Sequence, residues 1–132
     1  FTFCPDICPD SLQKVARVLD NLKSYNVPLQ PVFITIDPSR DTPELLKKYV
    51  AYFNPNFIAL TGSEAQIKHV ANLFKVYYAK VEDQNKDYML DHSAFIYLID
   101  KSGKYLAHFD TADKVDVITY KLTKILKADG SL

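Results

Sequence analysis

Apolar residues recur along the chain in two patterns, a helical three-to-four period and short continuous runs. Leu12, Val15, Ala16, Leu19 and Leu22 fall at i, i+3, i+4, i+7 and i+10, which predicts an amphipathic helix. Pro9-Asp10-Ser11 opens it, with Pro9 at the first helical position, where a missing N–H costs nothing, and Asn26-Val27-Pro28 closes it. Val32-Phe33-Ile34-Thr35-Ile36 is a short β-branched run of the kind that forms a fully buried parallel strand. Thr42-Pro43-Glu44 then starts a second helix with a cap, a proline and an acid, carrying Leu45, Leu46, Tyr49, Val50 and Phe53. Asn54-Pro55-Asn56 breaks it, and Phe57-Ile58-Ala59-Leu60 is a second apolar strand. Ser63 with Gln66 forms a capping box for a third helix bearing Ile67, Val70, Ala71 and Phe74.

Residues 79–91 are rich in charges and amides and predict a surface loop. The apolar runs 94–99 and 105–109 flank Asp100-Lys101-Ser102-Gly103-Lys104, which predicts a hairpin with His108 on the face opposite Tyr105, Ala107 and Phe109. A last helix over 113–127 turns Val115, Ile118, Leu122, Ile125 and Leu126 inward. Alternating helices and strands argue an α/β fold, its early strands parallel and its last pair antiparallel. A βαβ unit needs a strand before its helix, so the pattern leads us to expect N-terminal strands upstream of residue 1.

Length and composition narrow the classes. A chain of 132 residues suits one domain, here 1–132. Sixteen Lys and Arg balance sixteen Asp and Glu, which argues against a nucleic-acid footprint or a polybasic membrane patch. No apolar run is long enough for a spanning helix, and no signal peptide opens the chain.

The chemistry concentrates in Cys4-Pro5-Asp6-Ile7-Cys8-Pro9. Two cysteines are too few for a disulfide framework, and their spacing of four suggests either redox or metal chemistry between them. Each precedes a proline, which biases it away from helical geometry, so Cys8 is expected as the cap of the first helix. Unpaired N–H groups there favour the thiolate, the form that attacks disulfides and binds metals. The plain alternative is a pair of buried, inert cysteines, an uncommon use of a proline-flanked pair at a helix start. Two thiolates can hold a linear copper(I), and a third ligand would define the site better. His69 lies beside the stripe of the third helix and reads as solvated, and His108 reads as structural. His92 stands where the polar loop meets the apolar strand, so ligand and loop residue remain equal readings, with Asp91 placed to orient the ring. Met89 is soft enough for copper but reads as packing. Asp37-Pro38-Ser39-Arg40-Asp41 follows the first strand and reads as a loop closed by an Asp–Arg pair.

Phe3-Cys4-Pro5-Asp6-Ile7-Cys8-Pro9, Ile34-Thr35-Ile36-Asp37-Pro38-Ser39-Arg40-Asp41-Thr42, Leu60-Thr61-Gly62 and Asp91-His92-Ser93 together resemble the Sco/SenC copper-binding proteins of cytochrome c oxidase assembly. The resemblance runs in order over essentially the whole chain. It implies a thioredoxin-like fold with a mixed central sheet flanked by helices. It implies one copper ion, Cu(I) or Cu(II), held by Cys4, Cys8 and His92, with Asp91 beside the site. It further implies a monomeric metallochaperone, not an enzyme, serving the dinuclear copper site of oxidase subunit II and meeting other copper chaperones. Such a protein works on the periplasmic side of a bacterial inner membrane or in the mitochondrial intermembrane space, tethered by an upstream anchor.

The main rival is a thiol-disulfide oxidoreductase keeping partner cysteines reduced through a redox-active Cys4–Cys8 pair. Thioredoxin-like enzymes use C-x-x-C, one residue shorter than the spacing here. They also place a cis-proline before a late strand, whereas the last proline of this chain is Pro55 and His92 stands near that point. A peroxidase reading is weaker, since its pattern puts Thr three residues before the cysteine and Thr2 is two before Cys4.

Overall fold

The structure, a computed structural model, describes residues 7–23, 29–75, 78–82, 88–92 and 95–128, with the backbone alone for 7, 8, 78–82 and 88–92. In chain order the elements are α1 (Ile7–Leu22), β1 (Val32–Ile34), α2 (Pro43–Phe53), β2 (Ile58–Leu60), α3 (Glu64–Leu73), β3 (Tyr78–Glu82), β4 (Tyr88–His92), β5 (Phe95–Ile99), β6 (Tyr105–Asp110) and α4 (Val115–Ala128). The pairing is mixed: β1 and β2 are parallel, whereas β3–β4 and β5–β6 are antiparallel. Two compact units emerge, one of Phe1–Pro9 with Gln30–Ser93 and the other of Asp10–Leu29 with Ala94–Leu132.

In the first unit, cap chemistry sets both helix starts. The Thr42 hydroxyl accepts from the Leu45 amide at 3.2 Å, with Pro43 at the head of α2. Ser63 and Gln66 bond reciprocally, 3.1 Å from the Gln66 amide to the Ser63 hydroxyl and 2.9 Å from the Ser63 amide to Gln66 Oε1. Leu46 and Val50 are buried in α2, and the Tyr49 ring lies 6.0 Å from Phe33 and 5.5 Å from Phe53.

Parallel pairing of β1 with β2 runs as expected, from Val32↔Ile58 to Ile34↔Leu60. The expectation of a fully buried strand needs correction. Phe33 is half-buried, while Val32, Ile34, Ile58 and Leu60, which share the other face, are exposed. A strand is covered on both sides only where helices lie on both, and within this unit α2 packs on the Phe33 side.

Beyond β1 the backbone turns into a buried polar loop. The Thr35 hydroxyl donates to Asp41 Oδ2 at 2.6 Å and accepts from the Asp37 amide at 2.9 Å. Arg40 pairs through Nε with the buried Asp37 carboxylate, and the Asp41 amide donates to the Asp37 carbonyl at 2.9 Å. This is the Asp–Arg loop closure read from the sequence.

Residues 79–91 are not a loop over their length: β3 and β4 pair from Tyr78↔His92 to Glu82↔Tyr88. Tyr78-Ala79-Lys80-Val81-Glu82 alternates with strand period, and the charges and amides that suggested a loop fall mainly in 83–87, outside the described residues.

The second unit has its own core, Val18, Leu22, Leu98, Phe109, Ile118, Leu122 and Leu126, with Leu29, Ile96, Leu106 and Ala107 against it. Val18 is as buried as Leu12 in α1, so the inward stripe is centred slightly off the predicted one. The β5–β6 turn is organised by Asp100, whose Oδ1 accepts from Ser102 N at 2.9 Å, Ser102 Oγ at 2.7 Å and Lys104 N at 2.8 Å. Gly103 takes φ +89°, a conformation that side chains strain. Leu98 opposes Ala107, yet Ile99 opposes Tyr105, so Leu106 is an extra residue in the ladder. That bulge moves Tyr105 onto the face of His108, and the Tyr105 hydroxyl is hydrogen-bonded to His108 Nδ1. The strict alternation that placed His108 opposite Tyr105 is thereby corrected.

Candidate metal centre

Cys8 is the second residue of α1. The expectation of Cys8 as cap and Pro9 as first helical residue is therefore displaced, since the helix takes in Ile7 and Cys8 before Pro9. Proline still fits, because the first four amides of a helix have no intrahelical acceptor and Pro9 is third. The chemical consequence survives the shift. The first turn of a helix is its positive end, a position that in general suits a thiolate better than a thiol. Cys4 lies outside the described residues.

His92 is the last residue of β4, opposed by Tyr78 across the ladder. It is thus a strand residue at the open end of a hairpin, not a loop residue. Asp91 opposes Ala79 and, as the preceding strand residue, belongs to the other face of the hairpin together with Met89. Cys8 and His92 fall in one compact unit, the one that also holds the Asp37–Asp41 loop. His69 is exposed on α3, and His108 is exposed and engaged with Tyr105, in keeping with the non-ligand readings.

Soft sulfur donors with an imidazole select copper over the harder divalent ions, so these residue types fit that metal. Among the described residues no group of three His, Cys, Asp or Glu side chains gathers as a metal site. No helix among them is long and apolar enough to cross a membrane.

A sequence model of the SCO1/SenC family matches residues 1–127. The chain belongs to the SCO1/SenC family. It is 57% identical over 111 residues to an SCO2-like protein of Rickettsia felis, which covers 83% of this chain and 54% of that protein. Arabidopsis thaliana ScoI, solved with copper bound, is 41% identical and superposes with a TM-score of 0.93 over 97% of this chain and 80% of its own. Copper-bound ScoI of Bradyrhizobium japonicum is 35% identical, with a TM-score of 0.83 over 96% of this chain and 80% of its own. The fold of the SCO1/SenC chain is accordingly thioredoxin-like, as expected. The chain spans about half the length of the rickettsial relatives it matches.

Proposed function

We propose that this SCO1/SenC chain binds one copper ion through Cys4, Cys8 and His92 and passes it to the dinuclear copper site of cytochrome c oxidase subunit II. The observation that supports the reading is Cys8 in the first turn of α1 and His92 at the end of β4 in the same compact unit, within a family some of whose members have been solved with copper bound. Thiolates suit copper(I), and an added imidazole extends the set to copper(II). Three ligands leave one side open, so an incoming thiolate of the acceptor can displace them one at a time. Asp91 adds negative charge near the imidazole and supports a cationic metal. The protein then acts as a monomeric chaperone, not an enzyme, outside the cytoplasm at a bacterial inner membrane or its mitochondrial equivalent.

Anaerobic titration with copper(I) against a competing chelator tests this. One equivalent is expected to bind, with heavy weakening in Cys4→Ser and Cys8→Ser. His92→Ala is expected to weaken copper(II) binding most. Unchanged binding of both oxidation states by His92→Ala would remove the third ligand.

A second reading, reduction of the acceptor's cysteines, draws on the same helix start, because a position that suits thiolate also suits attack on a disulfide. In that step Cys4 and Cys8 become a disulfide while the acceptor's disulfide becomes two thiols. Rapid turnover on a disulfide substrate by the copper-free protein, with weak copper binding, would favour it.

A further inference from the structure

His108 is the centre of a group of aromatic rings on one face of the β5–β6 hairpin. The ladder sets it opposite Tyr97. Centre to centre, its imidazole lies 5.3 Å from the edge-on ring of Phe95, 6.4 Å from Tyr97 and 6.0 Å from Tyr105. Tyr105 reaches this face through the bulge at Leu106, and its hydroxyl is hydrogen-bonded to His108 Nδ1. Packing against three rings restricts the imidazole, so the phenol meets a positioned nitrogen and not a passing water. Tyr105 is also open to solvent, at 50% exposure. Tyr52 and Tyr120 are more exposed, at 86% and 68%, yet among the described residues neither is bonded to an imidazole.

A phenol that loses one electron must also lose its proton, and a positioned base that takes the proton speeds such a step, typically by about 10²–10⁴-fold. We propose that Tyr105 is a site of one-electron oxidation, giving its electron to a radical oxidant in solution while its proton passes to Nδ1 of His108. Tyr105 starts as a phenol and ends as a neutral phenoxyl. His108 starts neutral, with its hydrogen on Nε2, and ends as an imidazolium. The oxidant gains the electron, so charge and protons balance. The hairpin is thereby a radical-scavenging device, and this activity does not depend on the ligand reading above.

The test oxidises the copper-free full chain with photogenerated ruthenium(III) tris-bipyridine, persulfate serving as the final electron acceptor. Tyrosyl formation is followed by transient absorption, and spin-trapped tyrosines are located by peptide mass spectrometry. Expected is more label on Tyr105 than on Tyr52 or Tyr120, despite their greater exposure. His108→Phe keeps a ring for packing and His108→Gln keeps a hydrogen-bond acceptor, but neither side chain takes up the proton. Either variant, once circular dichroism shows it folded, is expected to slow oxidation of Tyr105 roughly a hundredfold and to return the label to the order of exposure. Label that follows exposure in the wild type would overturn the proposal, as would undiminished label on Tyr105 in a folded variant. Imidazole nitrogen shifts test the base without any substitution. In mildly alkaline buffer Nδ1 of His108 is expected to carry no hydrogen, and a hydrogen found there would overturn its role as proton acceptor.

Discussion

The hydroxyl of Thr35 donates to Asp41 Oδ2 at 2.6 Å, and both side chains are buried, at 0% and 1% exposure. The same hydroxyl accepts the Asp37 amide at 2.9 Å, so one side chain ties the end of β1 to the start of the segment leading into α2. Thr35→Val preserves shape and removes both bonds. Loss of a buried donor to a carboxylate costs about 1–3 kcal/mol, and urea unfolding should show that loss as a lower midpoint with an unchanged slope. Thr35→Ser, which keeps the hydroxyl, should cost clearly less.

The reciprocal Ser63–Gln66 bonds predict a paired effect at α3. Ser63→Ala removes the acceptor of the Gln66 amide and should cost about 1 kcal/mol. Gly62→Ala reaches the same box from outside. A methyl on Gly62 would stand 2.5 Å from Gln66 Oε1, the atom that accepts the Ser63 amide, so the glutamine must turn away. The Gly62→Ala and Gln66→Ala losses should then overlap instead of adding when combined, as thermal melts of the double variant would show.

Local chemistry was legible in the sequence, and coverage was not. Thr42-Pro43-Glu44 and Ser63 with Gln66 name their caps because the bonds close within one turn. Burial of Val32 and Ile34 depends on what lies over the strand, which no short window encodes. Leu106 illustrates a second limit. One extra residue in β6 reverses the face of Tyr105, and nothing in Lys104-Tyr105-Leu106-Ala107 marks it. The hairpin of β3 and β4 was hidden because the eye weighs the charges of 83–87 over the alternation on either side. At the candidate centre, residue type and spacing singled out Cys4 and Cys8 but left His92 level with a plain loop residue, and only the family resemblance joined the three as a ligand set. The start of α1 at Ile7 and the register of Tyr78 with His92 required the backbone.

Acid titration should find the carboxyl of Asp100 below the ordinary 3.8. The largest cause is the hydrogen bond from the Ser102 hydroxyl, followed by the Lys104 amide, and all of these stabilise the charged form. Because the folded value is depressed, the contribution to stability is present above the ordinary carboxyl pKa and fades as pH falls through the lower folded one. Side-chain carboxyl chemical shifts should give the low midpoint directly. Ser102→Ala should raise it, and Asp100→Asn should remove this part of the acid dependence of the β5–β6 turn.

At the alkaline end the same hairpin makes the opposite prediction through Tyr97, whose phenol is pushed above 10.0. Burial is the larger cause, because an anionic phenolate loses hydration there, and the charge of ionised Tyr105 is the smaller. Tyr105 joins this neighbourhood only because the bulge at Leu106 turns it to the face of Tyr97 and His108. With the folded value raised, the unfolded chain releases its proton first, so stability is full below the ordinary tyrosine pKa and falls as pH rises toward the folded one. Tyr105→Phe removes the smaller cause alone. Ultraviolet difference titration should therefore show the Tyr97 midpoint fall part of the way toward its ordinary value and stop short of it. A complete return would mean that the Tyr105 charge, and not burial, holds the proton on Tyr97.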